Sequence, residues 1–161
     1  MHANADLLHR LYTALDRHEH NTMAECYHPE ARFRDIAFDL HGIKKIHSMW
    51  HMISETDLRA TFEVIDATDR DGRVKLVDIY HFGAKKHPPK EGMPVRNVIE
   101  SHFVFEDGLI KDHHDFCDPK EWARQAMGGP IGYLAGRIHL MRWLAATLKL
   151  RAFVKNHPEY K

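Results

Sequence analysis

The chain has 161 residues, of which 43% are hydrophobic and 29% are charged, and its acidic and basic side chains balance at 23 each. The apolar fraction is too high for a disordered chain, and the length suits one domain that buries its own core. The neutral balance excludes a basic field over the whole molecule, so we expect no nucleic-acid partner. No apolar run approaches the roughly 18 residues of a membrane-spanning helix.

The cysteines and the N-terminal region indicate the compartment. Cys26 and Cys117 lie far apart in the sequence, without the spacing of a metal or redox motif. The first residues also lack the apolar stretch of a secretory signal. We therefore expect a cytoplasmic protein with reduced thiols.

The first third of the chain is predicted to be mainly helical. Residues 4–17 repeat apolar side chains at helical spacing, and residues 42–53 do so again. Between them, Thr22 and Glu25 form a T-x-x-E capping box, which predicts a second, short helix. A short extended piece is expected over residues 31–35.

After the third helix the hydrophobic period changes from 3.6 to 2, which indicates strands. Asp107-Gly108 predicts a turn between the last two of them, and a proline- and lysine-rich connection over residues 83–94 precedes the third. The predicted antiparallel strands are residues 58–68, 74–82, 95–106 and 109–117.

The end of the chain is predicted to be helical again. Asp118 as N-cap and Pro119 at the first position form a start signal, and Gly128-Gly129-Pro130 breaks that helix. A last helix is expected over residues 131–155, either as a lid over the rest of the domain or as a dimer element. Its cations are spread around the helix, so we do not expect it to bind a membrane surface. The whole order predicts a compact α+β domain.

Strand alternation shows polar side chains on the predicted inner face of the sheet. Asn97 and Ser101 share a face with apolar residues in one strand, and Asp78 does so in the preceding strand. The strand over residues 109–117 has no apolar face at all, which is typical of a strand that lines a polar cavity or an interface.

Four strings of the sequence resemble the nuclear transport factor 2-like superfamily, which includes ketosteroid isomerases, limonene-epoxide hydrolase and SnoaL-like polyketide cyclases. They are CYHPEARFRD (residues 26–35), HGIKKIHSMW (41–50), IESHFVFEDGLIKDHHDFCD (99–118) and PKEWARQAMG (119–128). The resemblance implies helices packed in a curved antiparallel sheet that forms a cone with an internal pocket. It also implies a homodimer through the outer face of the sheet. We expect this domain over residues 1–127, with residues 128–161 as a helical extension packed on it.

The resemblance carries over to individual residues unevenly. In the ketosteroid-isomerase-like pattern, Asp35 stands at the position of the proton-shuttling base, and Ser101 replaces a protonated aspartate that donates to an oxyanion. Tyr12 lies one residue out of register with the oxyanion tyrosine. The epoxide-hydrolase pattern places a catalytic aspartate at Asp115 and its partner at Asp78, but this sequence lacks the arginine that accompanies them in that pattern. Both patterns imply that the side chains of His113 and Asp115 in the fourth strand point inward.

We therefore predict a cofactor-independent enzyme that acts on a small apolar molecule by isomerisation, dehydration or cyclisation. The predicted catalytic residues are Asp35, Asp78, His113 and Asp115. The predicted substrate-binding residues are Tyr12, Trp50, Tyr80, Asn97, Ser101, Phe103 and Cys117. Two alternatives remain open: a non-catalytic protein that binds an apolar ligand in the same pocket, and a dimeric interaction module.

The chain contains 15 histidines, which raises the question of a metal site. His47 and His51 have the i, i+4 spacing of metal ligands on a helix, but no acidic third ligand has matching spacing. We therefore expect both to be solvated helix residues and predict no metal. Among the histidines, His113 alone is expected to take part in chemistry.

Overall fold

The computed structural model describes residues 2–83 and 92–161, so most of the predicted connection over residues 83–94 lies outside the described residues. The helices are α1 (Ala3–Arg17), α2 (His20–Ala24), α3 (Ile43–Ser54), α4 (Pro119–Ala126), α5 (Gly129–Arg137) and α6 (His139–Lys155), followed by a short 3₁₀ helix (Pro158–Tyr160). The strands are β1 (Tyr27–Arg34), β2 (Asp39–His41), β3 (Arg59–Ala67), β4 (Asp71–Phe82), β5 (Met93–Glu106) and β6 (Leu109–Phe116).

The α+β fold is confirmed: the strands form one curved, unclosed sheet in the order β2-β1-β6-β5-β4-β3. Strands β3 to β6 form the predicted antiparallel meander. Strand β1, however, pairs with β6 in parallel, which differs from a wholly antiparallel sheet. The reason is topological. After β1 and β2 the chain passes through α3 and re-enters the sheet at the opposite edge as β3. The meander then runs back across the sheet to β1, and its last strand, β6, lies parallel to β1.

A β-bulge explains why the sequence of β6 shows no apolar face. The register between β5 and β6 shifts after the Val104–Asp112 pair, because Phe105 pairs with Ile110. The extra residue places both Ile110 and His113 on the inner side, where each is fully buried, although their odd spacing would separate them in a regular strand.

The N-terminal helices pack against the inner face of the sheet. Helix α1 buries Leu8, Leu11 and Leu15 in the core, in keeping with the helical spacing of its apolar residues. The capping-box prediction for α2 is wrong, because α2 starts at His20 and its N-cap, Glu19, makes no side-chain cap. Helix α1 is followed by His18, whose left-handed backbone conformation ends the helix and turns the chain toward α2.

The C-terminal segment forms three helices where the sequence predicts two. Asp118 caps α4 as expected, accepting a hydrogen bond from the backbone N–H of Lys120. The single helix predicted over residues 131–155 is instead divided into α5 and α6, because Ile138 is extended. Helix α5 packs so closely on α4 that a Cβ at Gly132 would lie 2.7 Å from the Ala123 carbonyl oxygen. None of the helices in residues 2–83 and 92–161 is long and apolar enough to span a membrane.

Candidate functional site

A cavity of about 270 Å³ lies between the inner face of the sheet and the helices α3 and α6. This volume is just below the roughly 300–1,000 Å³ of typical small-molecule sites. Most of its wall is apolar, with polar side chains gathered where β4, β5 and β6 face it. Its apolar lining includes Leu15, Phe33, Ile36, Phe38, Trp50, Met52, Ile53, Leu58, Leu76, Phe82, Ile99, Trp122 and Met127.

Three carboxyl groups share this cavity. Asp35 follows β1, Asp78 lies on β4, and Asp115 lies on β6. Their positions follow from the sheet, since Asp78 pairs with Asn97 across β4 and β5, and Ser101 pairs with Asp115 across β5 and β6. The structure therefore brings together three of the four predicted catalytic residues in one apolar space.

The pKa of Asp78 is raised further than that of Asp35. Its pKa is raised from 3.8 to about 7, first by burial and then by the neighbouring charges of Asp115 and Asp35. Among the described residues, its buried Oδ1 has no hydrogen-bond partner. A buried polar atom without a partner costs on the order of 1–3 kcal/mol, so this oxygen is poised to bind a polar group of a ligand.

Asp35 is held by its own loop. Its Oδ1 accepts hydrogen bonds from the backbone N–H groups of Ala37 and Phe38, at 2.7 and 2.6 Å. Burial nevertheless raises its pKa to about 6, and these two hydrogen bonds only partly oppose that rise. The loop thus fixes the carboxyl group at the cavity while its pKa moves toward neutrality.

A buried hydrogen-bond network lies behind Asp115. Its Oδ1 is 2.5 Å from Ser101 Oγ, which donates to it, and 2.8 Å from His113 Nε2. The hydroxyl of Tyr12 donates to Ser101 Oγ at 2.7 Å. Two donors therefore fix one oxygen of the Asp115 carboxylate.

Tyr27 completes this network, and sequence reasoning missed it. Its hydroxyl lies 2.7 Å from His113 Nδ1 and accepts a hydrogen bond from Trp50 Nε1 at 3.2 Å. Because the tyrosine oxygen accepts from Trp50, its proton is available for Nδ1, which leaves Nε2–H to donate to Asp115. His113 is thus held between a phenol and a carboxylate, with Nδ1 as acceptor and Nε2 as donor. No signal in the sequence links residues 27 and 113, which meet only through the parallel β1–β6 pair.

The predicted site residues fall into two layers. Trp50, Tyr80, Asn97 and Cys117 line the cavity together with the three aspartates. His113 is fully buried behind Asp115 and does not line the cavity. Three predicted substrate-binding residues also lie outside the cavity lining, namely Tyr12, Ser101 and Phe103. They contact the hydrogen-bond network or the core, so the prediction is corrected and we regard them as positioning residues.

Helix α6 supplies a wall of the cavity that sequence reasoning did not assign to the site. Arg142, Ala145, Ala146 and Lys149 all line it. Arg142 is buried, and its guanidinium donates to the carbonyl oxygens of Ile36 at 2.9 Å and Ala135 at 2.7 Å. The helix thereby lies in the lid position that was one of its two predicted roles.

The described residues contain two groups that could hold a metal ion, and neither lines the cavity. They are His51 with His157 and Glu159, and His28 with Glu106 and Asp107. The cavity itself therefore offers acid–base groups and apolar surface rather than a cluster of metal ligands.

Solved structures of other proteins share this fold at low sequence identity. A protein from Silicibacter sp. TM1040, provisionally described as a polyketide cyclase, matches over 77% of this chain and 95% of its own, with a TM-score of 0.67 and 15% identity. TsrD from Streptomyces laurentii matches over 79% and 96%, with a TM-score of 0.61 and 22% identity. An LEH-like epoxide hydrolase from M. tuberculosis matches over 91% and 96%, with a TM-score of 0.60 and 13% identity.

These likenesses establish the nuclear transport factor 2-like fold that the sequence motifs predicted. The family model of the SnoaL-like domain matches residues 8–113, and the chain belongs to this family. A comparison with curated protein sequences finds no significant match.

Proposed function

We propose that the protein is a cofactor-independent enzyme that moves protons on a small apolar molecule, in an isomerisation, a dehydration or a cyclisation. The observation that supports this proposal is the grouping of three carboxyl groups in one apolar cavity. Cores do not usually bury such groups together, because like charges and desolvation both oppose ionisation. Perturbed carboxyl groups in a cavity are typical of acid–base sites.

The raised pKa values suit acid–base work near neutral pH. With a pKa of about 7, Asp78 is protonated in about half of the molecules at pH 7, whereas Asp35, at about 6, is mostly ionised. One group can therefore donate a proton to a substrate oxygen while the other accepts a proton from carbon. The two groups titrate as a coupled set, because each lies in the field of the other.

Asp115 is the second candidate base. The hydrogen bonds from Ser101 and His113 both go to Oδ1, so Oδ2 is free of these donors. Because Nε2 of His113 already carries the proton that it donates to Asp115, and Nδ1 accepts from Tyr27, His113 holds the carboxylate in place and leaves Oδ2 to take the proton.

Binding without catalysis is the second candidate function, and the predominantly apolar wall supports it. A carrier needs the cavity but does not need the carboxyl groups to be ionisable. The same substitution therefore distinguishes the two functions, because Asp115→Asn should remove turnover from an enzyme and spare ligand binding by a carrier.

A panel of small cyclic ketones in D₂O provides the test. Deuterium uptake at the carbon next to the carbonyl, followed by NMR, reports proton abstraction whatever the natural substrate is. We expect uptake above the buffer rate with the wild-type protein and its loss in Asp115→Asn, with thermal shifts recording binding in parallel. Thermal shifts without deuterium uptake would support the carrier. The absence of both signals would favour the dimeric interaction module.

We also propose that the protein forms a homodimer through the outer face of its sheet. Exposed apolar side chains gather there on three neighbouring strands, which is unusual for a surface that only water contacts. They are Ile79, Val98, Val104 and Phe116.

A further inference from the structure

Histidines from three separate parts of the chain meet beside α3, and none of them lines the cavity. His47 and His51 lie on α3, His20 on α2, and His157 directly after α6. The rings of His20 and His51 stack with their centroids 3.8 Å apart, and His20 Nδ1 lies 2.9 Å from His47 Nε2. The two α3 histidines are half-buried, so the prediction that they are solvated is wrong.

This cluster contains a set of metal-ligating atoms. His51, His157 and Glu159 each offer one ligand atom, and these atoms lie within 4.8 Å of one another. Glu55 lies beside this set, with its Oε1 3.9 Å from His51 Nε2 and 4.0 Å from His157 Nε2. Two imidazole nitrogens and two carboxylates suit a four-coordinate borderline cation.

The hydrogen bond of His157 determines which ring nitrogen is left for a ligand. Its Nδ1 lies 2.9 Å from the carbonyl oxygen of Phe153 and donates to it, because a carbonyl oxygen can only accept. Nε2 is therefore the nitrogen available to a metal ion, and it lies 4.0 Å from Oε1 of Glu55.

The other candidate metal-binding group, His28 with Glu106 and Asp107, already has a lysine beside it. Lys111 Nζ lies 3.1 Å from Glu106 Oε1 and 3.3 Å from His28 Nδ1, at the centre of that group. For Glu55 and Glu159, by contrast, no lysine or arginine nitrogen of residues 2–83 and 92–161 comes within 4.0 Å. The cluster on α3 thus has the ligands without the cation.

We propose that His51, His157 and Glu159, with Glu55 as fourth ligand, bind a divalent cation of the Zn²⁺ type. Zinc–ligand bonds of about 2.0–2.1 Å require the ligand atoms to approach one another further, which rotation of the two exposed glutamates can provide. Donation from Nδ1 of His157 to a backbone carbonyl is the outer contact that orients a metal-bound imidazole.

The bound ion would join the segment after α6 to α3. Helix α6 forms one wall of the cavity through Arg142 and Lys149, so the ion would fix that wall at its far end. Tyr160 supports the same arrangement, since its hydroxyl lies 2.9 Å from His51 Nδ1 and directs Nε2 of that ring toward Glu55. The role of the site is therefore structural, and it does not depend on which function the cavity has.

Calorimetric titration of Zn²⁺ into the full chain, after treatment with a chelator, tests the proposal. We expect the wild type to bind one equivalent, and His51→Gln and His157→Gln to bind it at least about tenfold more weakly. Zn²⁺ should also raise the Tm of the wild type and not that of His51→Gln. Mg²⁺ should do neither, because it prefers oxygen ligands.

His28→Gln is the matched control, because it removes a histidine from the cluster that Lys111 already neutralises, and it should bind Zn²⁺ like the wild type. Glu159→Gln changes an exposed side chain and so tests a ligand without endangering the fold; it should weaken binding as well. The proposal is overturned if the wild type binds no stoichiometric Zn²⁺. It is equally overturned if His51→Gln and His157→Gln, shown to be folded by circular dichroism, bind as tightly as the wild type.

Discussion

Ser101 donates a 2.5 Å hydrogen bond to Oδ1 of Asp115, directly across the β5–β6 pair. The register of the two strands aligns this bond, and Tyr12 of α1 donates to the same serine from the other side. The orientation of a cavity carboxylate therefore depends on backbone pairing and on a buried helix residue. Such support is what keeps a reactive group in one geometry.

Ser101→Ala should destabilise the protein by about 1–3 kcal/mol, because it leaves the Tyr12 hydroxyl without its close acceptor and Asp115 with one donor fewer. Urea denaturation measures the loss. Ser48→Ala is the matched control, since Ser48 is equally buried but donates only to the Lys45 carbonyl in its own helix. Equal losses in the two variants would show that the network adds nothing to an ordinary buried serine.

The inner face of the sheet could be predicted because alternation is local. Asp78, Asn97 and Ser101 stand out as polar residues among apolar neighbours two positions away, and the structure places each of them on the inner side. The contact of Tyr27 with His113 could not be predicted, because the two residues are 86 positions apart and meet through a parallel pair that no local pattern indicates.

The C-terminal region shows the same limit. Apolar spacing continues through Ile138, so periodicity predicts one helix and gives no sign that Ile138 is extended or that α5 packs closely on α4 at Gly132. The cluster of His51 and His157 joins residues that are 106 positions apart, and i, i+4 spacing carries no information about such a partner. Long-range packing therefore determined both features.

Asp78→Asn should change how stability depends on pH. The pKa of Asp78 is about 7 in the folded protein and 3.8 ordinarily, so the folded state binds more protons between these values and stability falls as pH rises from about 4 to 7. Asparagine does not ionise and so removes this loss. Above pH 7 we expect the variant to be more stable than the wild type by about 2–4 kcal/mol, with little difference below pH 4.

The measurement is a series of urea denaturation curves across this pH range. Asp69→Asn is the control, because its side chain is 97% exposed and should leave the pH dependence unchanged. Parallel pH profiles for Asp78→Asn and the wild type would mean that folding does not raise the pKa of this carboxyl group. If the proposed enzyme function is right, the variant gains stability and loses turnover at once.

Arg142→Met should loosen the wall that α6 contributes to the cavity. The guanidinium joins α6 to the loop at Ile36 and to the end of α5 at Ala135, and methionine keeps the apolar stem while leaving both carbonyls without a donor. We expect a loss of about 2–4 kcal/mol in urea denaturation, because hydrogen bonds from a charged donor contribute about 1.5–3 kcal/mol each and the losses add only in part.

Arg151→Met on the same helix is the control, because Arg151 is exposed and should change stability by less than about 0.5 kcal/mol. Ligands found in the thermal-shift screen should also bind Arg142→Met more weakly and Arg151→Met unchanged. A fully stable Arg142→Met protein with normal binding would show that apolar packing alone holds α6 in place.

Val98→Glu should convert the proposed homodimer into monomers. Val98 lies on the outer face of β5 with 49% of its surface exposed, among the other apolar side chains of that face, and a carboxylate buried there without a partner costs several kcal/mol. Sedimentation velocity measures the change. Leu140→Glu is the informative control, because Leu140 is 65% exposed on α6, and a dimer element was the other role predicted for the last helix. If Leu140→Glu dissociates the dimer and Val98→Glu does not, the interface lies on the C-terminal helices instead of the sheet.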